Sequence, residues 1–204
     1  MNLRNIRRIQ LKLKYFFKNL CSSKKRSVEI SSDVKIERAN LFDLEDGCRF
    51  VLSKKVKIQG GCRFEVGKGS ELLVGEHTHI RAYSIFECAK KINIGENVII
   101  GAYNWFQGSG EINIGNHVIL GPSVKLISTS HEYSCPNVVI SKQGLIKKKV
   151  EIMNNVWLGA NVIVLAGVKI GNNVIVGANS VVTKDLEPNA IYIGSPAKKL
   201  KDLN

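Results

Sequence analysis

The chain has 204 residues, enough to bury one substantial core, or one core with appendages. Its formal net charge of +13 and pI of about 9.6 predict an anionic partner, such as nucleic acid, an anionic membrane surface, or a phosphorylated cofactor or substrate. The five cysteines include no C-x-x-C pair, which argues against a disulfide framework, and no apolar run reaches the roughly 18 residues of a membrane span. The composition therefore predicts a cytoplasmic protein with reduced thiols and no secretion signal.

Residues 1–27 are predicted to form a basic amphipathic helix followed by a linker. Nine Lys or Arg and no acid lie between Met1 and Arg26, and the apolar residues of this segment can share one broad helix face. This pattern is typical of a helix on anionic lipid, so residues 1–26 are predicted to contact the inner face of a membrane. The alternative is a helix that packs on the protein and directs its charges to water. Nucleic acid is not predicted, because the segment has no groove-reading motif and no aromatic platform.

Residues 28–70 alternate apolar and polar side chains like a series of short strands. Val34 and Ile36, for example, have the two-residue spacing of one strand face. The sequence GCRF occurs twice, beginning at Gly47 and at Gly61. We interpret the segment as degenerate first coils of the repeat that follows, capping one end of the fold.

A repeat of six residues dominates residues 71–186. From Ile152 onward every sixth residue is a branched aliphatic: Leu158, Val164, Ile170, Val176 and Val182. A helix repeats every 3.6 residues and a strand every 2, so this period fits neither. It fits a chain that turns a corner after each short strand, with three sides forming a coil of about 18 residues and coils stacking about 4.8 Å apart. The aliphatics would form ladders inside the coil, and Gly or Asn would serve corners that need positive φ.

Two features depart from the strict repeat. From Glu71 the matching columns recur every 20 residues, so each of these coils is expected to carry two extra residues at one corner. Residues 127–149 then interrupt the repeat, and a long loop on a rigid scaffold is a common location for function. Residues 187–204 are predicted to be a polar C-terminal tail.

The run of [LIV]-G-x-x-x-x units, ending in GANSVVTKDLEPNAIYIGSPAKKL, resembles the hexapeptide-repeat acyltransferases, and most closely the sugar and polysaccharide O-acetyltransferases. The resemblance covers roughly residues 66–201. It implies an all-β fold, a left-handed parallel β-helix with an excursion loop, that works as a homotrimer. It also implies acetyl-CoA as co-substrate and no required metal.

The resemblance assigns the catalytic role to His131. This histidine lies in STSHEY, directly after a coil and at the start of the interruption. The family's catalytic histidine follows a coil in the same way. Histidine is suited to taking a proton near neutral pH, so His131 would act as the general base. A solvated loop histidine is the alternative. The resemblance also places Asn104, one coil earlier, at the acceptor pocket, with an ordinary corner asparagine as the alternative. Trp105 and Trp157 are interpreted either as residues that line the cleft for the substrate or as plain packing.

Six positions match the family's coenzyme contacts. The backbone N–H of Ala160 would point at the thioester oxygen and stabilise the developing oxyanion. Ala178 lies one coil further on the same face and would contact the pantetheine. The remaining matches are to the adenosine diphosphate part and its phosphates: Thr183, Lys184, Lys198 and Lys201.

A metal site is not predicted. His77 and His117 share one column two coils apart, with Asn97 between them, which would separate their Cα atoms by nearly 10 Å. Zinc requires each ligand nitrogen at about 2.0–2.1 Å, so exposed corner histidines are the simpler interpretation.

Together these features predict an acetyl-CoA-dependent O-acetyltransferase that acts on a sugar hydroxyl, in surface polysaccharide or lipid-linked glycan biosynthesis. A glycan acceptor at the inner membrane face would suit the basic N-terminal segment. Three alternatives stay open at this point. They are acetylation of a free small molecule (a sugar, serine or an antibiotic), N-acetylation of an amino sugar, and a trimeric scaffold without catalysis.

Overall fold

The computed structural model describes residues 26–203 and shows a left-handed parallel β-helix. Three sheets form the sides of a three-sided prism, and the chain passes over them in the order A, B, C in each coil. Face A has seven strands: β1 (Ser27–Ile30), β4 (Arg49–Leu52), β7 (Glu71–Val74), β10 (Lys91–Ile94), β13 (Ile112–Ile114), β18 (Val150–Ile152) and β21 (Lys169–Ile170).

The other two faces are built in the same way. Face C has seven strands: β3 (Leu41–Leu44), β6 (Arg63–Val66), β9 (Ile85–Cys88), β12 (Trp105–Gln107), β15 (Lys125–Ile127), β20 (Ile163–Val164) and β23 (Val181–Val182). Face B has nine strands: β2 (Lys35–Ile36), β5 (Lys57–Ile58), β8 (His79–Ile80), β11 (Ile99–Ile100), β14 (Ile119–Leu120), β19 (Trp157–Leu158), β22 (Val174–Val176), β24 (Ala190–Ile193) and β25 (Lys198–Asp202). The parallel pairing thus extends beyond Leu186 into β24, and β25 then pairs antiparallel with β24.

The coils shorten along the prism. Paired residues are 22 positions apart in the first coils (Ser27↔Arg49), 20 in the middle (Glu71↔Lys91) and 18 near the end (Glu151↔Lys169). Successive inward residues are six apart except where face C leads into the next face A. The steps there are 10, 8 and 6 residues in the three classes: Phe64 to Val74, Phe106 to Ile114, and Val164 to Ile170. The predicted extra residues of the 20-residue coils therefore lie at one corner, and residues 28–70 contain regular coils with a still larger corner.

The corners have the left-handed backbone that the repeat predicts. Asn97, Asn155, Asn161, Asn173 and Asn179 all have φ between 54° and 60°. Asn tolerates this region better than most residues because its short polar side chain can bond locally. At one corner the Asn side chains bond from coil to coil, Asn155 to Asn173 at 2.9 Å and Asn173 to Asn189 at 2.8 Å.

The interior is filled by ladders of apolar side chains. The largest ladder is a column of four stacked phenylalanine rings, with centroids 5.0, 4.8 and 4.5 Å apart: Phe42, Phe64, Phe86 and Phe106. Polar residues enter this interior where they can bond the backbone of the next coil, as Thr78 does to the Gly95 carbonyl at 3.0 Å.

The predicted interruption leaves the prism after β15. Its stem is an antiparallel hairpin of β16 (Thr129–His131) and β17 (Leu145–Lys147), and the short helix α1 (Ile140–Gln143) lies within it. The chain rejoins face A at β18 (Val150–Ile152). Within residues 26–203 there is no helix long and apolar enough to cross a bilayer. The predicted N-terminal helix lies outside the described residues.

Candidate active site

His131 stands on the hairpin that projects from the prism. The hairpin is anchored at Ser128, whose hydroxyl donates to the Gln107 carbonyl at 2.6 Å and accepts from the Gly110 N–H at 2.8 Å. Backbone pairing of Ser130 with Ile146 continues this anchoring outward. The His131 side chain is exposed, and its imidazole forms no hydrogen bond or ion pair with any residue between 26 and 203. An imidazole on a fixed backbone, without a competing partner, is available to take a proton.

Hydrogen bonds from side chains of the hairpin to its own backbone hold its tip in place. Glu132 accepts the backbone N–H groups of Tyr133 and Ser134, each at 2.9 Å. These bonds, with that of Ser134 the strongest, lower the pKa of the Glu132 carboxyl. Gln143 accepts from the Cys135 N–H at 3.0 Å and donates to the Cys135 carbonyl at 2.9 Å. The segment next to His131 is therefore held by local hydrogen bonds.

Asn104 lies inside the prism of the single chain, so its predicted contact with the acceptor stays a prediction. Its side chain is 1% exposed and points into the prism, because it lies two residues from the inward-facing Phe106. There its amide donates to the Gly101 carbonyl at 2.6 Å. The neighbouring Trp105 has the opposite parity, so it faces outward and lies half-buried beside Lys125 on face C. Of the two side chains, that of Trp105 is the more exposed in the single chain.

Ala160 and Ala178 form one column at the corner between faces B and C. They are stacked on successive coils, since the Asn179 N–H donates to the Ala160 carbonyl at 2.9 Å. Glycines beneath them allow this close stacking, because a Cβ on Gly159 would lie 2.6 Å from the Ala178 nitrogen. Neither the Ala160 N–H nor the Ala178 N–H has a hydrogen-bond partner within the described part of the chain. The column therefore offers two free backbone donors to a ligand.

The predicted lysines lie at the same end of the prism. Lys198 pairs with Ile193 and Lys201 with Ile191 along β25, and both side chains are exposed. Lys198 lies at the end of β25 nearest the corner between faces B and C. It therefore extends the column of Ala160 and Ala178 by a further strand. Thr183 and Lys184 follow β23, at the far edge of face C, and are also exposed. An extended anionic ligand along the corner would thus meet backbone donors first and then a cation.

His131 and Ala160 lie at opposite edges of face C in one chain. The hairpin that carries His131 leaves face C where β15 ends, whereas Ala160 lies at the corner where face C begins. Trp157 faces outward on face B and is 51% exposed, so it does not simply pack in the core. The resemblance pointed to the Ala160 and Ala178 positions, but it could not show that their N–H groups lack partners within residues 26–203, because hydrogen-bond pairing depends on the neighbouring coil.

The remaining histidines occupy corners. His77 and His117 have φ of 57° and 58° and share their corner column with Asn97, in the predicted arrangement. In the span 26–203 no group of three or more His, Cys, Asp or Glu is placed to hold a metal ion.

Comparison with known proteins identifies relatives of this fold. A family model described as bacterial transferase hexapeptide (six repeats) matches residues 149–184. The galactoside O-acetyltransferase of Lactococcus lactis subsp. lactis is 37% identical over 85 residues, which are 41% of this chain and 40% of that protein. The 2,3,4,5-tetrahydropyridine-2,6-dicarboxylate N-acetyltransferase of Ligilactobacillus salivarius is 54% identical over 55 residues, 27% of this chain and 24% of that protein. The chain thus spans less than half the length of these curated relatives.

The solved structures show the same architecture. A variant of AntD, an N-acyltransferase from Bacillus cereus in complex with dTDP and coenzyme A, matches with a TM-score of 0.58 at 20% identity, over 88% of this chain and 84% of that one. At this identity the likeness shows the fold alone. Residues 149–184 therefore match the bacterial hexapeptide transferase repeat, and the described chain has the left-handed β-helix fold that the hexapeptide-repeat acetyltransferases share.

Proposed function

We propose that the protein transfers an acetyl group from acetyl-CoA to a hydroxyl of a sugar, in the biosynthesis of a surface polysaccharide or lipid-linked glycan. The observation that carries the proposal is that one chain carries both an anchored His131 and a column of backbone donors at Ala160 and Ala178 that leads to Lys198, and that none of these three groups has a partner within residues 26–203. The galactoside O-acetyltransferase among the relatives supports a sugar hydroxyl as acceptor.

In this reaction His131 acts as general base. An imidazole nitrogen removes the proton from the acceptor hydroxyl as its oxygen attacks the thioester carbonyl carbon. The carbonyl oxygen then becomes negative, and the Ala160 N–H is the donor that stabilises it. When the C–S bond breaks, the imidazolium returns its proton to the departing thiolate. Holding both reactants side by side supplies a further part of the acceleration.

We propose that the active protein is a homotrimer with its site between subunits. The opposite placement of His131 and Ala160 across face C supports this arrangement, since a neighbouring copy can bring its own corner to the hairpin. Lys184, Lys198 and Lys201 would then meet the phosphates of acetyl-CoA, and Thr183 would lie beside its adenosine part.

An amino group is the second candidate acceptor. The N-acetyltransferase among the relatives favours it, because a similar repeat region serves acetylation of nitrogen in that protein. An acceptor screen with acetyl-CoA that reads released thiol separates sugars, amino sugars and free small molecules directly.

The test of the mechanism is His131→Ala. Loss of a general base is expected to lower kcat by about 10²–10⁴-fold while coenzyme binding is retained. His117→Ala is the matched control, because that exposed histidine lies on a corner away from the hairpin. Unchanged turnover in His131→Ala would contradict the assignment, and a protein without turnover on any acceptor would favour the scaffold.

We also propose that the protein is cytoplasmic and lies peripherally on the inner membrane face, through residues 1–26. The nine cationic residues of this segment support the proposal. Deleting residues 1–26 is expected to abolish sedimentation with anionic liposomes, with neutral liposomes as the control. Equal sedimentation of the truncated and complete chains would refute lipid contact through this segment.

A further inference from the structure

Exposed cations line face B in the first three coils. Lys35 and Lys57 are paired in register with His79 on successive strands, and their side chains point outward. Arg81 lies at the edge of this face, and Arg38 lies at the corner between faces B and C. None of these four Lys and Arg residues has a salt bridge to any residue between 26 and 203. Burial, followed by the charges of Lys57 and Arg81, holds the pKa of His79 below its ordinary value, as expected beside concentrated positive charge.

The cations of face A are arranged differently, because the chain pairs them itself. Arg49 lies 3.4 Å from Glu29, and Lys91 lies 2.8 Å from Glu71. Exposed pairs of this kind add little stability, but each charge is offset by its neighbour. The cations of face B are therefore the ones that an anionic ligand would meet.

Two stacked tyrosines stand at the corner between faces B and C. The ring centroids of Tyr83 and Tyr103 are 5.2 Å apart, and the rings lie within 12° of parallel. The two residues are 55% and 61% exposed. Gly61 makes room for the lower ring, since a Cβ there would lie 2.5 Å from the Tyr83 ring. On the other side the corner column continues with the small Ser123, so no third ring covers Tyr103.

The fold gives no reason for tyrosine at these two positions. Tyr83 and Tyr103 have φ of 59° and 61°, a left-handed backbone that disfavours bulky side chains. Later coils place asparagine in the same column, at Asn161 and Asn179. Burial does not offset the strain, because both tyrosines are more than half exposed. Strained residues that persist without such compensation are typical of ligand sites, which makes the exposed rings a candidate binding surface.

The tyrosines lie on the same corner as the proposed oxyanion donor. Asn161 follows Ala160 in the chain and shares the corner column of Tyr103, two coils away. With coils about 4.8 Å apart, Tyr103 lies about 10 Å along the prism from the coil of Ala160. In the proposed function coenzyme A extends from Ala160 in the other direction, toward Lys198. The corner from Tyr103 down to Arg38, three coil spacings or about 14 Å, is therefore left to the acceptor.

We infer that this corner binds the acceptor as an acidic glycan chain. The inference rests on the proposed function and specifies its substrate class: several linked sugars that carry carboxylates, rather than a monosaccharide or another small molecule. The rings of Tyr83 and Tyr103 pack against the apolar faces of sugar rings, and the cations of face B bind the carboxylates. The sugar that lies beside Ala160 presents the hydroxyl that accepts the acetyl group.

Titration calorimetry of the complete chain without acetyl-CoA tests this inference. Hexagalacturonate is the acidic probe, and a neutral galactohexaose with the same number of rings is its control. We expect hexagalacturonate to bind about tenfold more tightly at about 0.05 M NaCl, because several exposed charges act together. This advantage is expected to shrink at about 0.5 M NaCl, as the charges are screened.

Substitution of both tyrosines separates stacking from charge. Tyr83→Ala with Tyr103→Ala is expected to weaken the binding of both probes by about tenfold, as loss of aromatic stacking does for other flat ligands. Alanine fits this corner, since Ala39 occupies the same column with φ of 63°. Tyr83→Phe with Tyr103→Phe keeps the rings and is expected to bind within about threefold of the wild type.

Substitution of the cations has a matched control on face A. Lys57→Ala with Arg81→Ala is expected to weaken hexagalacturonate by about fivefold and to leave the neutral probe unchanged. Arg49→Ala with Lys91→Ala removes the same charge from face A and is expected to stay within about twofold of the wild type. Circular dichroism checks that each variant retains the β-helix.

Four results would overturn the inference. They are no binding of hexagalacturonate, wild-type binding by the double alanine variant of the tyrosines, an equal loss in the face A control, and tighter binding of hexauridylate with the same dependence on the variants. The third result would report general attraction of a basic chain to polyanions, and the fourth would assign the corner to nucleic acid. The proposed function fails separately, if no sugar supports release of thiol from acetyl-CoA.

Discussion

The column of stacked phenylalanines makes a quantitative prediction about stability. Phe86 is 0% exposed, and its ring lies between those of Phe64 at 4.8 Å and Phe106 at 4.5 Å, parallel to both within 4°. Truncating a buried Phe to Ala costs about 3–5 kcal/mol, and each lost aromatic pair costs about 0.5–1.5 kcal/mol beyond its buried area. Because the coils above and below are fixed by backbone ladders, the cavity cannot collapse. We therefore expect Phe86→Ala to lower the free energy of unfolding by about 4–5 kcal/mol.

Urea unfolding followed by circular dichroism measures this loss, with the slope checked for two-state behaviour. Phe86→Leu is the matched control, because the same column continues with Leu126 one coil beyond Phe106, and we expect it to cost less than half as much. Tyr83→Ala tests the outside of the same coil, where the ring is 55% exposed and stacks on Tyr103 at 5.2 Å, and is expected to cost no more than about 2 kcal/mol. A loss below about 1.5 kcal/mol for Phe86→Ala would refute the inference that the column is rigidly packed.

Two further predictions concern ionisable groups. The hydrogen bond and charge of Lys91 lower the pKa of Glu71 below 4.5, so its stabilising contribution is complete above pH 4.5 and is lost as the pH falls through the lower folded value. Thermal melts are therefore expected to show a smaller acid-induced fall in Tm for Lys91→Met than for the wild type, and an identical pH profile would contradict the pairing. Burial raises the pKa of the Cys88 thiol to about 11, and Cys48 and Cys62 are also buried. Among these residues and the exposed Cys135, alkylation read by mass spectrometry is expected to label only Cys135 until the protein unfolds.

The fold could be predicted from the sequence because its signal is local and repeated. The six-residue spacing from Ile152 to Val182 specifies one inward side chain per strand, and no other regular structure has that period. The corner asparagines could be predicted for the same reason, since each corner needs a residue that tolerates positive φ. Which side chains face inward depends on strand parity: Asn104 shares the inward parity of Phe106, whereas Trp105 faces outward. The assignment of Asn104 to the acceptor came from the resemblance and not from this parity.

The sequence by itself determined the ladders, the corners and the position of the interruption, because these depend on residues close together in the chain. Only the tertiary structure decided which groups lack partners, because hydrogen bonds and ion pairs in a β-helix join residues about one coil apart. The amides of Ala160 and Ala178 lack partners among residues 26–203 because of how the next coil passes over them. Lys35 lies beside Lys57, and Asp43 beside Glu65, because coils of equal length stack in register.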